Sequence, residues 1–76
     1  MVFDYCKLYG KIKEVFGTQE AFAKAMDMSR SAINSRLTQK IEWKSPEIAK
    51  AAVLLGIPIS DTHIYFFCVK SLEKQD

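Results

Sequence analysis

Four polar side chains that could hydrogen-bond to a partner lie just after a point where a helical pattern stops and a new one begins: Arg30, Ser31, Asn34 and Ser35. The stretch "TQEAFAKAMDMSRSAINSRL" holds two short amphipathic patterns, the first ending near Met26 and the second beginning at Ser29. At helical spacing, the four polar residues fall on the outward side of the second pattern. A helix that only buries apolar surface would continue without a break. The restart therefore favours a recognition surface, and a face that is merely solvated is the common alternative.

Residues suited to catalysis or metal binding are few and scattered. The one histidine, His63, has no evident carboxylate partner, and no Cys/His spacing resembles a zinc site. Cys6 and Cys68 lie among apolar residues, so we interpret both as buried free thiols rather than activated thiolates. No glycine-rich phosphate loop occurs. We therefore expect no enzymatic activity, no metal and no cofactor.

The length and composition indicate a single folded domain. The chain has 76 residues, of which 49% are apolar and 26% charged, so we expect one domain over residues 1–76 with a frayed tail at 71–76. No apolar run approaches the roughly 20 residues of a membrane-spanning helix, and the first residues do not resemble a signal peptide. These features predict a cytoplasmic protein.

Charge is distributed unevenly along the chain. The net charge is +2, but up to Lys40 there are seven Lys/Arg against four Asp/Glu, whereas the remainder has four against five. This asymmetry weakly favours a polyanionic partner for the first half.

The apolar periodicity predicts an all-α fold, a compact bundle of about five short helices. Asp4 is the predicted cap of a first helix that ends at Gly17, with an inward stripe of Tyr5, Leu8, Tyr9, Ile12 and Phe16. Thr18 and Ser29 are the predicted caps of the second and third helices, which are separated at Asp27–Met28. Ser45 with Pro46 begins a fourth helix that ends at Gly56.

The last apolar run leaves two alternatives open. "DTHIYFFC" is interpreted as a short fifth helix with Ile64, Phe67 and Cys68 facing the core, although "IYFFCV" is also rich enough in β-branched and aromatic residues for a strand. In the fourth helix the expected stripe of Ile48, Ala51, Ala52 and Leu55 is widened by Val53 and Leu54.

The second and third predicted helices fit the mechanical needs of two helices joined at a wide angle by a turn of about three residues. Such a pair needs a small residue where the helices cross, here Ala23, and a branched apolar residue pointing back, here Ile33. The turn itself usually takes a left-handed conformation. Glycine adopts it most easily, and aspartate, here Asp27, and asparagine come next. Phe22, Met26 and Leu37 complete the expected wedge.

This stretch resembles the helix-turn-helix of the phage repressor and Cro family. The segment "TQEAFAKAM" is similar to the start of that family's motif, "SRSAINSRL" to its recognition helix, and "SPEIAKAAVLLGIPISD" to the helix that follows. The resemblance covers about Leu8 to Phe67 and implies a lambda-repressor-like domain that binds operator DNA. The chain departs from the pattern in two places, with Asp27 where glycine is more frequent and with the heavily aromatic ending "IYFFCVKSL".

The resemblance implies that residues 29–37 lie in the major groove of a palindromic double-stranded DNA operator, bound by a homodimer in a bacterial or phage-infected host cell. It assigns base contacts to Arg30, Ser31, Asn34 and Ser35. It assigns phosphate contacts to Gln19, Ser29, Thr38, Gln39, Lys40 and Lys44. "IYFFCV" is then the candidate subunit contact. No small-molecule ligand is implied.

Two side chains and two other functions stay open. Arg36 either reaches the DNA backbone or forms an ion pair within the protein, and Trp43 either packs the loop onto the core, which we favour, or donates to a phosphate. The main alternative function is a protein-interaction module, an antirepressor or regulatory adaptor on the same fold, which the modest net charge of +2 allows. A structural bundle without a ligand ranks third, because it leaves the polar restart at Ser29 unexplained.

Overall fold

A computed structural model of the protein describes residues 3–68 and shows five α-helices. Their bounds are α1 Cys6–Phe16, α2 Gln19–Met26, α3 Arg30–Leu37, α4 Ser45–Leu55 and α5 Thr62–Phe66, with a 3-10 turn at Ile59–Asp61 before α5. The predicted all-α bundle is confirmed, and the last apolar run is helical at its start rather than a strand. Within the described range no helix has the length and apolarity to cross a membrane. The tail predicted to fray, residues 71–76, lies outside the described residues.

Helix α1 begins two residues after Asp4 and ends as predicted. The Asp4 carboxylate accepts a hydrogen bond from the Cys6 N–H at 2.9 Å, although Tyr5 occupies the cap position. Gly17 takes a φ of 85°, which ends the helix. Two expectations were wrong here: Tyr9 is exposed because it lies at the margin of the apolar stripe, and Cys6 is exposed at the solvent side of the first turn.

The connection between α2 and α3 is closed by hydrogen bonds on both sides. Thr18 caps α2 by accepting from the Ala21 N–H at 3.1 Å, and Ser29 caps α3 by accepting from the Ala32 N–H at 3.1 Å. Between them Asp27 is left-handed, with φ 60° and ψ 43°. Both predicted caps and the predicted turn residue are confirmed.

Helices α4 and α5 cover the other side of the core. The cap of α4 is Lys44 rather than the predicted Ser45, and its N–H donates to the Glu47 carboxylate at 3.0 Å. Gly56 ends the helix with a φ of 70°. Val53 is 77% exposed, so the apolar stripe of α4 is narrower than predicted.

The register of α5 differs from the prediction. Phe66 is 1% exposed and belongs to the core, whereas Phe67 is 49% exposed. Helix α5 ends at Phe66, and Phe67 follows it with a non-helical φ of −129°, so helical spacing does not set the direction of its side chain. Cys68 is only half-buried, which corrects the interpretation of it as a buried thiol.

All five helices contribute to one hydrophobic core. Its buried members are Tyr5, Leu8, Ile12, Phe22, Ala23, Met26, Ile33, Leu37, Ala51, Ala52, Leu55, Ile57 and Phe66. Trp43 packs against this core with its ring edge-on to the ring of Phe66, at a centroid distance of 5.2 Å. The favoured interpretation of Trp43 as a packing residue is therefore confirmed.

A buried ion pair joins the end of α3 to the start of α4 and settles the role of Arg36. Arg36 is 9% exposed, and its Nε and Nη2 each donate to a Glu47 carboxylate oxygen at 2.9 Å. Its Nη1 donates to the Ala32 carbonyl at 2.9 Å. Hydrogen bonding to Arg36 holds the pKa of the Glu47 carboxyl below its ordinary value, and the same bond raises the pKa of the Arg36 guanidinium.

We expect Glu47→Gln to destabilise the protein at neutral pH by about 2–3 kcal/mol, because it leaves the Arg36 charge buried without a counter-ion. Since the folded-state pKa of Glu47 is depressed, its contribution is complete above the ordinary value of 4.5 and is lost as pH falls through the folded pKa. The difference between wild type and variant in urea unfolding should therefore shrink below about pH 4.5.

Glu14→Gln is the matched control, because it removes only the exposed pair of Lys11 and Glu14, whose charged atoms are 3.7 Å apart. We expect it to change the free energy of unfolding by less than about 0.5 kcal/mol. Equal effects of the two substitutions would contradict the structural role given to the Arg36–Glu47 pair.

The turn offers a second test of the fold. Asp27→Val should lower the free energy of unfolding by about 1–2 kcal/mol, because a β-branched residue is strained at a φ of 60°. Asp27→Gly should leave stability unchanged or raise it. Thermal unfolding followed by circular dichroism measures both, and a valine variant as stable as the glycine variant would contradict the left-handed turn.

Candidate functional site

The outward face of α3 carries the polar residues predicted for recognition. Arg30, Ser31 and Asn34 are exposed and line one shallow depression. Ser35 is half-buried and lies at the flank of this face. Three of the four predicted base-contact residues are therefore brought together on an open surface, and the fourth is partly covered.

Arg30 also lines a second hollow, where α3 approaches the end of α1 and the start of α2. This hollow contains Gln19, one of the predicted phosphate contacts, together with Lys13. Lys13 was not among the predicted site residues. The sequence signal for Lys13 was its position in the last turn of α1, four residues before Gly17. Only the packing of α1 against α2 shows that it lines the same hollow as Arg30.

Two of the predicted contact residues hold the ends of α3. The Ser29 hydroxyl accepts the Ala32 N–H and lies 3.3 Å from the Ser31 hydroxyl. The Thr38 hydroxyl donates to the Asn34 carbonyl at 2.8 Å. Both hydroxyls therefore stabilise helix ends in this conformation.

Gln39 is engaged with the start of the chain. Its side-chain oxygen accepts from the Phe3 N–H at 3.0 Å, and its side-chain nitrogen donates to the Phe3 carbonyl at 2.8 Å. Each bond uses only part of the amide, so its second N–H can still donate to a phosphate without breaking either one. Lys40 and Lys44, by contrast, are exposed in the loop that follows α3.

The electrostatic character of this region is mildly positive. The sequence from Met28 to Ile41 contains no acidic residue, and its three cations are Arg30, Arg36 and Lys40. Arg36 is neutralised by Glu47, so Arg30 and Lys40 supply the outward charge. They stand near opposite ends of α3, whose eight residues span about 12 Å.

The remaining residue types offer no catalytic arrangement within residues 3–68. No group of three or more His, Cys, Asp or Glu side chains in this range could hold a metal ion. His63 and Cys6 are exposed, and neither hydrogen-bonds through its side chain to a described residue.

Arg30 occupies the first position of α3, where a positive charge opposes the helix dipole. We expect Arg30→Ala to leave the free energy of unfolding unchanged or to raise it by up to about 0.5 kcal/mol, because the outward side chain makes no described hydrogen bond. Thermal unfolding with Lys24→Ala, another exposed cation, as control measures the effect. A loss of more than about 1 kcal/mol would show that Arg30 has a structural role instead.

Comparison with known proteins finds matches over most of the chain. A family model with the description "Protein of unknown function (DUF739)" matches residues 1–69. Among solved structures, the protein is similar to the modulator of repression (MOR) of the temperate bacteriophage TP901-1 from Lactococcus lactis, solved in solution. The two are 43% identical, the match covers 88% of this chain and 90% of that one, and the TM-score is 0.79. No curated protein matches significantly.

Proposed function

The chain belongs to the DUF739 family, and we propose that it modulates repression in a temperate phage or prophage by binding a repressor protein. The observation that carries this proposal is its 43% identity, over nearly the whole of both chains, to a protein named as a modulator of repression. A modulator acts on repression that another molecule establishes, so a protein partner is the direct expectation. Such a role is non-enzymatic and is exercised in the cytoplasm of the bacterial host.

The charge of the surface supports a protein partner. Net charge is only +2, and Arg36 is internally paired with Glu47. The surface around α3 therefore presents few cations for a phosphate backbone, whereas dedicated DNA binders usually gain most of their affinity from such contacts. Polar groups of a protein can also bind this face, because Arg30 donates hydrogen bonds and Ser31 and Asn34 both donate and accept them.

Double-stranded DNA is the second candidate partner, favoured by the exposure of Arg30, Ser31 and Asn34 on a helix that follows a three-residue turn. In this helix-turn-helix arrangement α3 enters the major groove, with Arg30 on guanine and Asn34 on adenine. A homodimer on a palindromic site completes the mode of binding. Arg30→Ala then relaxes preference at one base pair, whereas Lys40→Ala weakens all sequences alike.

The test uses the purified protein, the repressor encoded in the same phage or prophage genome and that repressor's operator DNA. We expect calorimetric titration to show binding of the repressor, and saturating amounts of the protein to change the operator affinity of the repressor at least about tenfold. At 150 mM salt the protein alone should leave operator DNA unshifted in a gel.

The DNA mode predicts a different pattern. The protein alone shifts operator DNA, and log K falls with log[salt] at a slope of about −2.7 per subunit if Lys13, Lys40 and Lys44 each neutralise one phosphate. That result, combined with no detectable repressor binding, would overturn the proposal of a protein partner.

A further inference from the structure

An aromatic cleft lies between the start of the chain, the loop after α3 and the end of α5. It encloses about 300 Å³. Its apolar walls within the described chain are Phe3, Tyr5, Ile41, Trp43, Phe66 and Phe67. This volume is near the lower limit of ligand pockets, so the cleft suits one large side chain rather than an extended cofactor.

The walls of the cleft are held by ring contacts and hydrogen bonds. The ring of Phe3 stacks on Tyr5 and meets Phe67 edge-on, both at a centroid distance of 6.1 Å. The amide of Gln39 binds the main chain of Phe3 through two hydrogen bonds, although Gln39 itself has a strained φ of 65°. The cleft is therefore formed in the protein without a partner.

Two apolar side chains of the cleft remain unusually open to solvent. Phe67 is 49% exposed and Ile41 is 46% exposed. Both are large, and they line the same cleft instead of being scattered singly over the surface. Contiguous apolar exposure of this kind is typical of an interaction site.

The charge at the cleft is negative. Glu42 is the one charged residue among its described lining residues, and no ion pair within residues 3–68 uses it. Glu42 and Tyr5 line the same cleft, and burial first and the charge of Glu42 second raise the pKa of the Tyr5 phenol. An occupant that complements this cleft has an apolar group next to a cation.

We propose that the cleft binds a segment of a partner protein that presents one large apolar side chain, inserted between Trp43 and Phe67, beside a lysine or arginine that pairs with Glu42. The inference deepens the proposed function, on which it rests for the identity of the partner. It assigns the contact to a surface distinct from the polar face of α3. The single tryptophan of the chain, Trp43, reports on occupancy.

The experiment is an NMR titration of the indole N–H signal of Trp43 with three small probes: acetyl-Phe-Lys-amide, acetyl-Phe-Glu-amide and acetyl-Ala-Lys-amide. We expect acetyl-Phe-Lys-amide to shift the signal saturably in the millimolar range, with a Kd about fivefold lower than that of acetyl-Phe-Glu-amide. The alanine probe should cause no saturable shift, because it lacks the apolar anchor.

Variants separate the apolar and charged contributions. Phe67→Ala should weaken the binding of acetyl-Phe-Lys-amide about tenfold. Val53→Ala, which changes an exposed apolar residue of α4, should leave that binding unchanged. Glu42→Lys should reverse the preference, so that acetyl-Phe-Glu-amide binds more tightly. Glu14→Lys changes the net charge equally but lies on α1, and it should leave the preference unchanged.

The failures of this inference and of the proposed function are distinguishable. If the repressor binds but Phe67→Ala and Glu42→Lys leave its affinity unchanged, or if no probe shifts Trp43, the cleft proposal is overturned while the proposed function stands. If the probes bind as expected but the repressor does not, the proposed function fails and the cleft remains a site for such segments. A Trp43 shift that depends only on protein concentration would identify a second copy as the occupant and overturn the proposal.

Discussion

Asp27 adopts a left-handed backbone conformation, with φ 60° and ψ 43°, and this turn sets the position of α3. The N–H groups of Asp27 and Met28 both bind the Ala23 carbonyl, which closes α2 within its last turn. In an unbroken helix, Phe22 and Ile33 would be separated by about 16 Å along the axis. With the turn, both are fully buried in the same core cluster. The turn thus converts two short segments into a wedge and leaves the outer face of α3 open.

The other end of α3 is positioned by charge. Arg36 binds Glu47 at the start of α4, so α3 cannot rotate relative to α4 without breaking these two hydrogen bonds. The same pair removes a cation from the surface. The region of α3 and the loop after it exposes Arg30 and Lys40, whereas Arg36 is paired with Glu47. It therefore attracts phosphates less strongly than its composition indicates, which agrees with a protein partner.

Local signals were sufficient to predict most of the helices. Caps such as Thr18 and Ser29, and the glycine at Gly56, act on backbone groups within a few residues, so their effect is visible in the sequence. Periodicity predicted which side of each helix is apolar but not the width of the buried stripe, and for this reason Val53 was wrongly assigned to the core. The error at Phe67 has another cause: α5 ends at Phe66, so helical spacing does not extend to Phe67.

Within the candidate surface, the sequence predicted the exposed face of α3. It did not predict the contacts between residues that are far apart in the chain. Gln39 was predicted as a phosphate contact, yet its amide binds the main chain of Phe3, 36 residues away. Lys13 lines the same hollow as Arg30 only because α1 packs against α2. The aromatic cleft could not be predicted because its walls come from three separate parts of the chain, and each part taken singly is an ordinary apolar cluster.

The hydrogen bond from the Asp4 N–H to the Cys68 carbonyl, 2.7 Å long, brings the first and last described segments side by side. The ends of the described chain are therefore close enough to be joined by a short linker. A circularly permuted chain, joined at this contact and opened at the exposed Pro58, would retain the same helix neighbours. The architecture depends on which helices are in contact, and it does not require that α1 come first in the chain.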